Sequence, residues 1–346
     1  MKKLAVLLLC VSLFAAAARA ETLPYWREDA PGLASILAYV ESVTDPASPD
    51  YVPPDKRIAV FDSDGTLYGE LFPTYFDQCL FLQRVLHDET YLADDEVYAY
   101  AKALERAVTM REPEPDSPRS TAQMAAEAFS GFTVEEYRSY VREFMSQPVY
   151  GFEGLCYGEG FYAPMVELVR FLSENGFTVF VSSGTERTML RELMRGTLDT
   201  WIPPHCVIGS TFSLKASGQE GEEGRSYTYK PDDQVLLEGN LLFKNQKMNK
   251  VVTIVDEIGQ APLLVFGNSS GDLAMAQYAV QHGGRAYMLL CDDTGREYGD
   301  PAAAESFRAK CDALGFGTIS MRDEFDTIYG YGVVKTAAEE AVPVGE

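Results

Sequence analysis

The chain has 346 residues, of which 29 are Lys or Arg and 52 are Asp or Glu, for a formal charge of −23. With 46% hydrophobic residues, 19 Phe and 20 Tyr, it can bury a large core, which excludes a disordered chain. So large an acidic excess disfavours nucleic acid as a partner, because that affinity comes largely from Lys and Arg on phosphates; a small anionic ligand would need local positive charge from a metal ion, a lysine or helix N-termini.

In chain order, residues 1–20 come first and stand outside the fold. Lys2 and Lys3 precede an apolar run over 4–18, and Ala18-Arg19-Ala20 is a small-x-small end before Glu21. This is the pattern of a secretory signal cleaved after Ala20. The run falls short of the roughly 20 residues that span a bilayer. The expectation is an exported protein, periplasmic or secreted, without stable membrane insertion. Cys79, Cys156, Cys206, Cys291 and Cys311 remain after cleavage, with no CxxC spacing, so a zinc site is disfavoured. An oxidising compartment permits one or two disulfides, with Cys291 and Cys311 nearest in sequence. Buried free thiols are the equal alternative.

Three short apolar runs then end in polar, glycine-bearing loops, the signature of buried strands. Residues 57–61 end at Asp62-Ser63-Asp64-Gly65, 177–181 at Ser182-Ser183-Gly184, and 263–266 at Gly267-Asn268-Ser269-Ser270-Gly271-Asp272. Helical periodicity covers 76–87, 94–109, 121–129 and 134–145, interrupted by a Pro-rich stretch at 112–118. A helix at 164–174 precedes the second strand, and helix-compatible segments at 186–194 and 273–281 follow the second and third. Further strand candidates lie at 207–208, 286–290 and 318–321. The pattern predicts an α/β fold: a Rossmann-like parallel sheet with helices on both faces. Its core covers 21–67 and 160–346, with an inserted all-helical cap over 68–159 and a small β-hairpin insertion at 213–243.

In such sheets, ligands bind beyond the carboxyl ends of the strands, so Asp62, Ser182, Asn268 and Asp272 should converge. Asp62 and Asp64 place two carboxylates on a tight loop. The first can attack a phosphoryl group and the second can serve as acid and then base. Both would repel an anionic phosphoryl group, which calls for a shared hard cation, most simply Mg²⁺. An EF-hand is excluded, because Leu67 stands where its sixth-position glycine belongs and Pro73 where its twelfth-position glutamate belongs. Ser182 stands at an expected helix start, where a hydroxyl and free amides bind phosphate. Thr66, Ser183 and Gly184 are the neighbouring candidates for phosphate binding. Lys250, or else Lys247, can reach a phosphoryl oxygen.

Together, Phe61-Asp62-Ser63-Asp64-Gly65-Thr66-Leu67, Ser182 after its strand, the lysine and the 267–272 loop resemble the four motifs of the haloacid dehalogenase superfamily. Val52 to Leu67 and Phe266 to Leu273 look closest to an exported, phosphoserine-phosphatase-like group. The resemblance implies Asp62 as nucleophile, Asp64 as acid and base, Ser182 as phosphoryl donor and the lysine as charge stabiliser. It also implies Mg²⁺ on Asp62, the Asp64 carbonyl, Asn268 and Asp272. Asp64 points to phosphatases or phosphomutases, and a small phosphorylated metabolite is the implied substrate. Two features depart from the family pattern. Asn268 stands where most relatives have aspartate, and Ser183 where they have glycine. The implied activity is an Mg²⁺-dependent phosphomonoester phosphatase; the alternatives are a phosphomutase and a non-catalytic phosphate-ligand binding protein. Glu70, Tyr68 and Arg187 are near enough in sequence to touch the alcohol.

Overall fold

The computed structural model describes residues 23–70, 73–110 and 112–336. The expected leader at 1–20 lies outside them. The first element, helix α1 (Pro31–Thr44), adds to those expected from sequence; Pro31 opens it and Leu33, Ile36, Val40 and Val43 form its buried stripe. Strand β1 (Ile58–Phe61) is buried on both faces, as an interior parallel strand must be.

Helices α2 (Phe76–Leu82), α3 (Asp95–Met110), α4 (Thr121–Ala128) and α5 (Val134–Met145) follow. A π-helical turn at Gln83–His87 continues α2. Capping boxes start α4 at Ser120 with Gln123 and α5 at Thr133 with Glu136, reciprocally satisfying otherwise unpaired amides. The segment expected to be wholly helical also holds a two-residue strand, β2 (Phe152–Glu153).

Helix α6 (Ala163–Glu174) leads into β3 (Thr178–Glu186), α7 (Arg187–Leu193), β4 (Val207–Ala216) and β5 (Val235–Phe243). Strands β4 and β5 pair antiparallel, β4 having first paired with β3 through Val207 and Ile208. Helix α8 (Met248–Thr253), β6 (Leu264–Gly267), α9 (Leu273–Gln281), β7 (Arg285–Leu290), α10 (Pro301–Leu314), β8 (Gly317–Ser320) and β9 (Val334–Lys335) complete the chain.

Seven strands form one sheet in the order β5-β4-β3-β1-β6-β7-β8, parallel except for β5, and β2 pairs with β9 in a separate ribbon. Side chains alternate across the pleat. Ile58, Val60, Val265 and Met288 meet α8, α9 and α10 on one face, and Ala59, Phe61, Phe266 and Leu289 join the larger core on the other. Helices therefore cover both faces, as predicted for this α/β sheet. Among the described residues no helix is long and apolar enough to cross a membrane, and Cys79, Cys156, Cys206, Cys291 and Cys311 are all free thiols.

Candidate active site

β1 delivers Asp62 at its carboxyl end, where the Asp62 amide still donates to the Phe266 carbonyl of β6 at 2.9 Å. The chain then turns sharply. The Ser63 carbonyl accepts from the amides of Thr66, Leu67 and Tyr68 at 3.0, 2.8 and 2.9 Å, and Gly65 adopts φ +74°, a region costly for any side-chain-bearing residue. A Cβ at Gly65 would also lie 1.9 Å from Asn268 Nδ2.

β6 ends in the second acidic loop. A Cβ at Gly267 would come within 2.5 Å of the Asp272 Cβ, so glycine there lets Asp272 fold back. Asp272 Oδ2 accepts from the amides of Asn268 and Ser269 at 3.1 Å each and from the Ser269 hydroxyl at 3.2 Å. Its Oδ1 accepts from Lys250 Nζ at 2.6 Å, and the same ammonium donates to Asp62 Oδ1 at 2.6 Å. One buried lysine therefore ties together two loops that are distant in sequence. Burial disfavours its charge, but the carboxylates of Asp272 and Asp62 outweigh burial and hold its pKa above the usual lysine value.

Asn245 sets where that lysine stands. Its Nδ2 donates to the Ser182 hydroxyl at 3.1 Å and the Ser183 carbonyl at 3.2 Å on β3, and its Oδ1 accepts from Thr253 Oγ1 on α8 at 3.0 Å. The helix bearing Lys250 is thereby pinned to the strand beside β1. Lys247, the other candidate, is exposed at the start of α8.

Burial pushes Asp62 up to about 7, with the Asp272 charge adding and Lys250 opposing. Burial also raises Asp64 to about 7, with Asp77 adding and a hydrogen bond from Thr185 opposing. Thr185 Oγ1 donates to Asp64 Oδ2 at 2.7 Å. The two acids thus differ in setting: Asp62 is held by an ammonium, Asp64 by a neutral hydroxyl. A carboxyl that keeps its proton near neutrality is suited to protonating a leaving group.

Asp62, Asp64, Gly184, Lys250, Asn268 and Asp272, all named from sequence, line one cleft of about 150 Å³. Tyr75, Asp77, Thr185, Lys244, Gln246 and Ser269 also line it and were not singled out. The polar run 244–246, between the hairpin and the two candidate lysines, was the legible signal for two of them. The helix start expected at Ser182 needs correction: β3 continues to Glu186, because pairing with β4 resumes beyond a bulge at Glu186 and Ser210. Glu186 is the N-cap of α7, accepting from the Met189 amide at 2.9 Å. Ser182 and Ser183 lie buried beside the cleft, and the Ser183 hydroxyl accepts from the Thr185 amide at 3.1 Å. Thr66 is buried, with its hydroxyl 3.5 Å from Asn268 Oδ1. Tyr68 is in the core, donating to the Tyr157 carbonyl at 2.5 Å, and Arg187 pairs with Glu257 at 2.6 Å outside the cleft lining.

Four carboxylates, Asp62, Asp64, Asp77 and Asp272, face two ammonium groups, Lys244 and Lys250, so the cleft is net acidic. Its lining contains no His or Cys. A donor set of carboxylate and amide oxygens fits a hard divalent cation and offers nothing to a soft one.

In solved structures, a protein of unknown function from Anaerococcus prevotii shares the fold, with a TM-score of 0.51 at 14% identity over 83% of this chain and 91% of that one. A protein of unknown function from Bordetella pertussis is similar with a TM-score of 0.48 at 15% identity, over 76% of this chain and 98% of that one. A cytosolic 5'-nucleotidase IIIB bound to cytidine is similar with a TM-score of 0.49 at 14% identity, over 87% and 90%. No curated protein matches the chain in sequence. The haloacid dehalogenase-like hydrolase family matches residues 59–277, more than half of the chain, and spans Asp62, Lys250 and Asp272. With β1, α8 and β6 bringing those groups to one cleft, the chain belongs to the haloacid dehalogenase-like hydrolases.

Proposed function

We propose that this hydrolase is an Mg²⁺-dependent phosphatase that cleaves a small phosphomonoester through an aspartyl-phosphate on Asp62. The observation that carries the reading is the Lys250 ammonium, 2.6 Å from both Asp62 Oδ1 and Asp272 Oδ1, in the same cleft as Asp64. In the first half-reaction an Asp62 oxygen attacks phosphorus in line, the ester P–O bond breaks, and Asp64 gives its proton to the departing alcohol oxygen. In the second, Asp64 takes a proton from water, the water oxygen attacks phosphorus, and the acyl phosphate bond breaks to release inorganic phosphate and free Asp62. Lys250 orients Asp62 and offsets charge on the transferring group.

Thr185 keeps Asp64 aimed during both proton transfers. Lys244, whose Nζ donates to the Gly184 carbonyl at 2.9 Å, supplies the second positive group of the cleft lining. Asp62, Asp64, Asn268 and Asp272 would hold the cation, which would supply charge neutralisation between carboxylates and phosphate when bound. Among the described residues no three His, Cys, Asp or Glu side chains form a ready metal cage. Mg²⁺ is commonly bound through one or two carboxylates together with substrate phosphate, a role open to the carboxylates that line this cleft.

The test is turnover of a generic aryl phosphate with Mg²⁺, with chelator, and by Asp62→Asn, together with an acid-quenched search for a phosphate adduct on Asp62. Metal-dependent release of inorganic phosphate, with the adduct lost in the variant, supports the reading; full turnover by Asp62→Asn removes Asp62 from the mechanism. The export reading rests on the leader at 1–20, and the mass of the secreted protein's N-terminus tests cleavage after Ala20.

A further inference from the structure

Beside the cleft, Asn268 pairs with Glu70, a carboxylate outside the cleft lining that no step above uses. Asn268 Nδ2 donates to Glu70 Oε1 at 2.7 Å. The Glu70 backbone amide donates to Tyr162 Oη at 3.3 Å, and Tyr162 is fully buried. The Gly65 turn is shaped around this pair, since a Cβ there would lie 1.9 Å from Asn268 Nδ2 and 2.8 Å from Glu70 Oε1.

An amide side chain carries an acceptor and a donor on arms of nearly equal shape, so its partners decide which arm points where. Asn268 lines a cleft that it shares with Asp62, Asp64 and Asp272. The field of those carboxylates draws an NH₂ group inward, and an inward NH₂ would repel a cation. Glu70 competes for the same NH₂ from the other side. Once Nδ2 is committed to Glu70, the oxygen, 3.5 Å from the Thr66 hydroxyl, is the arm left for the cleft.

We infer that Glu70 is a positioning residue that fixes the Asn268 amide with Oδ1 on the cleft side, so that a neutral side chain can serve as ligand to a divalent cation. The inference rests on the phosphatase reading for the presence of that cation. Removing the outer hydrogen-bond partner of a metal ligand typically weakens metal affinity by about 10–100-fold.

The test is Mn²⁺ binding followed by the electron paramagnetic resonance of the free ion, with Mg²⁺ affinity measured by competition, on the full protein. The variants are Glu70→Leu, Glu70→Gln, Asn268→Asp and the double variant Glu70→Gln with Asn268→Asp, each checked by thermal unfolding. Glu70→Leu has no acceptor and should bind about 10–100-fold more weakly. Glu70→Gln keeps an acceptor and should fall between it and wild type. Asn268→Asp alone sets two acid oxygens against each other and should not tighten binding, despite the added charge. The double variant reverses donor and acceptor within the pair and should return to within about threefold of wild type, well inside that range.

If Glu70→Leu fails to fold, the reversed pair decides. Wild-type affinity in Glu70→Leu or Glu70→Gln, or a tenfold gain in Asn268→Asp alone, overturns the positioning role. A wild-type protein that binds cation and releases phosphate while the variants match it removes only this inference. One that does neither removes the phosphatase reading as well.

Discussion

Replacing Lys250 by Met removes an ammonium while keeping most of the volume of its stem. Asp62 and Asp272, 7% and 1% exposed, would then face each other without their shared cation. Breaking one side of a buried ion pair costs about 3–5 kcal/mol, and a lysine serving two carboxylates places the loss at the upper end, about 4 kcal/mol or more. The folded variant has one relief: it can take up a proton. Losing Lys250 drives Asp62 further above the roughly 3.9 of an unfolded aspartate, so the folded state binds more protons than the unfolded chain and its stability falls as pH rises. Urea unfolding in chelator, followed through Trp26 and Trp201, should show the full deficit at pH 8 and a smaller one at pH 5, where Asp62 is protonated. Turnover should fall in parallel, because Asp62 loses the group that orients it. A deficit below about 1 kcal/mol at pH 8, or one that does not change between pH 5 and pH 8, would refute the claim that this lysine neutralises a desolvated acid pair.

Three further outcomes follow from the same geometry. Gly65→Ala forces a left-handed backbone at about 1–2 kcal/mol and drives a Cβ into Asn268, so both stability and cation affinity should drop, which unfolding and Mn²⁺ titration would show; an unchanged affinity would mean that the turn relaxes freely. Thr185→Val leaves Asp64 without its hydroxyl partner and should lower kcat several-fold with little change in KM, while raising the pH at which the acid limb of the rate profile falls. Glu297, pushed up to about 7 by burial and accepting from the Tyr329 hydroxyl, makes wild-type stability fall between about pH 4.5 and 7. The fall should be about 3 kcal/mol from this group, and Glu297→Gln should flatten that slope in pH-dependent unfolding; an unaltered slope would show that Glu297 titrates normally.

How much of this was readable beforehand differs from residue to residue. Asp62 and the 267–272 loop were placed at strand ends because β1 and β6 are apolar on both faces, and such runs can only be interior strands of a covered sheet. Helices α4 and α5 were legible because their caps lie within four residues of sequence. The end of β3 was not. Ser-Ser-Gly reads as a loop, and the strand continues because β4 offers it partners from a segment more than twenty residues away.

The lysine choice shows the same division. Lys247 and Lys250 lie three residues apart, and local chemistry treats them alike. What separates them is the docking of α8, whose Val251, with Ile254 just beyond the helix, is buried against the sheet and turns Lys250 toward Asp62. Thr185 and Asp77 enter the cleft through register and helix placement, which no spacing announces. Sequence by itself determined the periodicities, the acidic loops and the family, all of which are short-range properties of the chain. Only the tertiary structure decided which charges share one desolvated space, because that depends on burial between segments far apart in the chain.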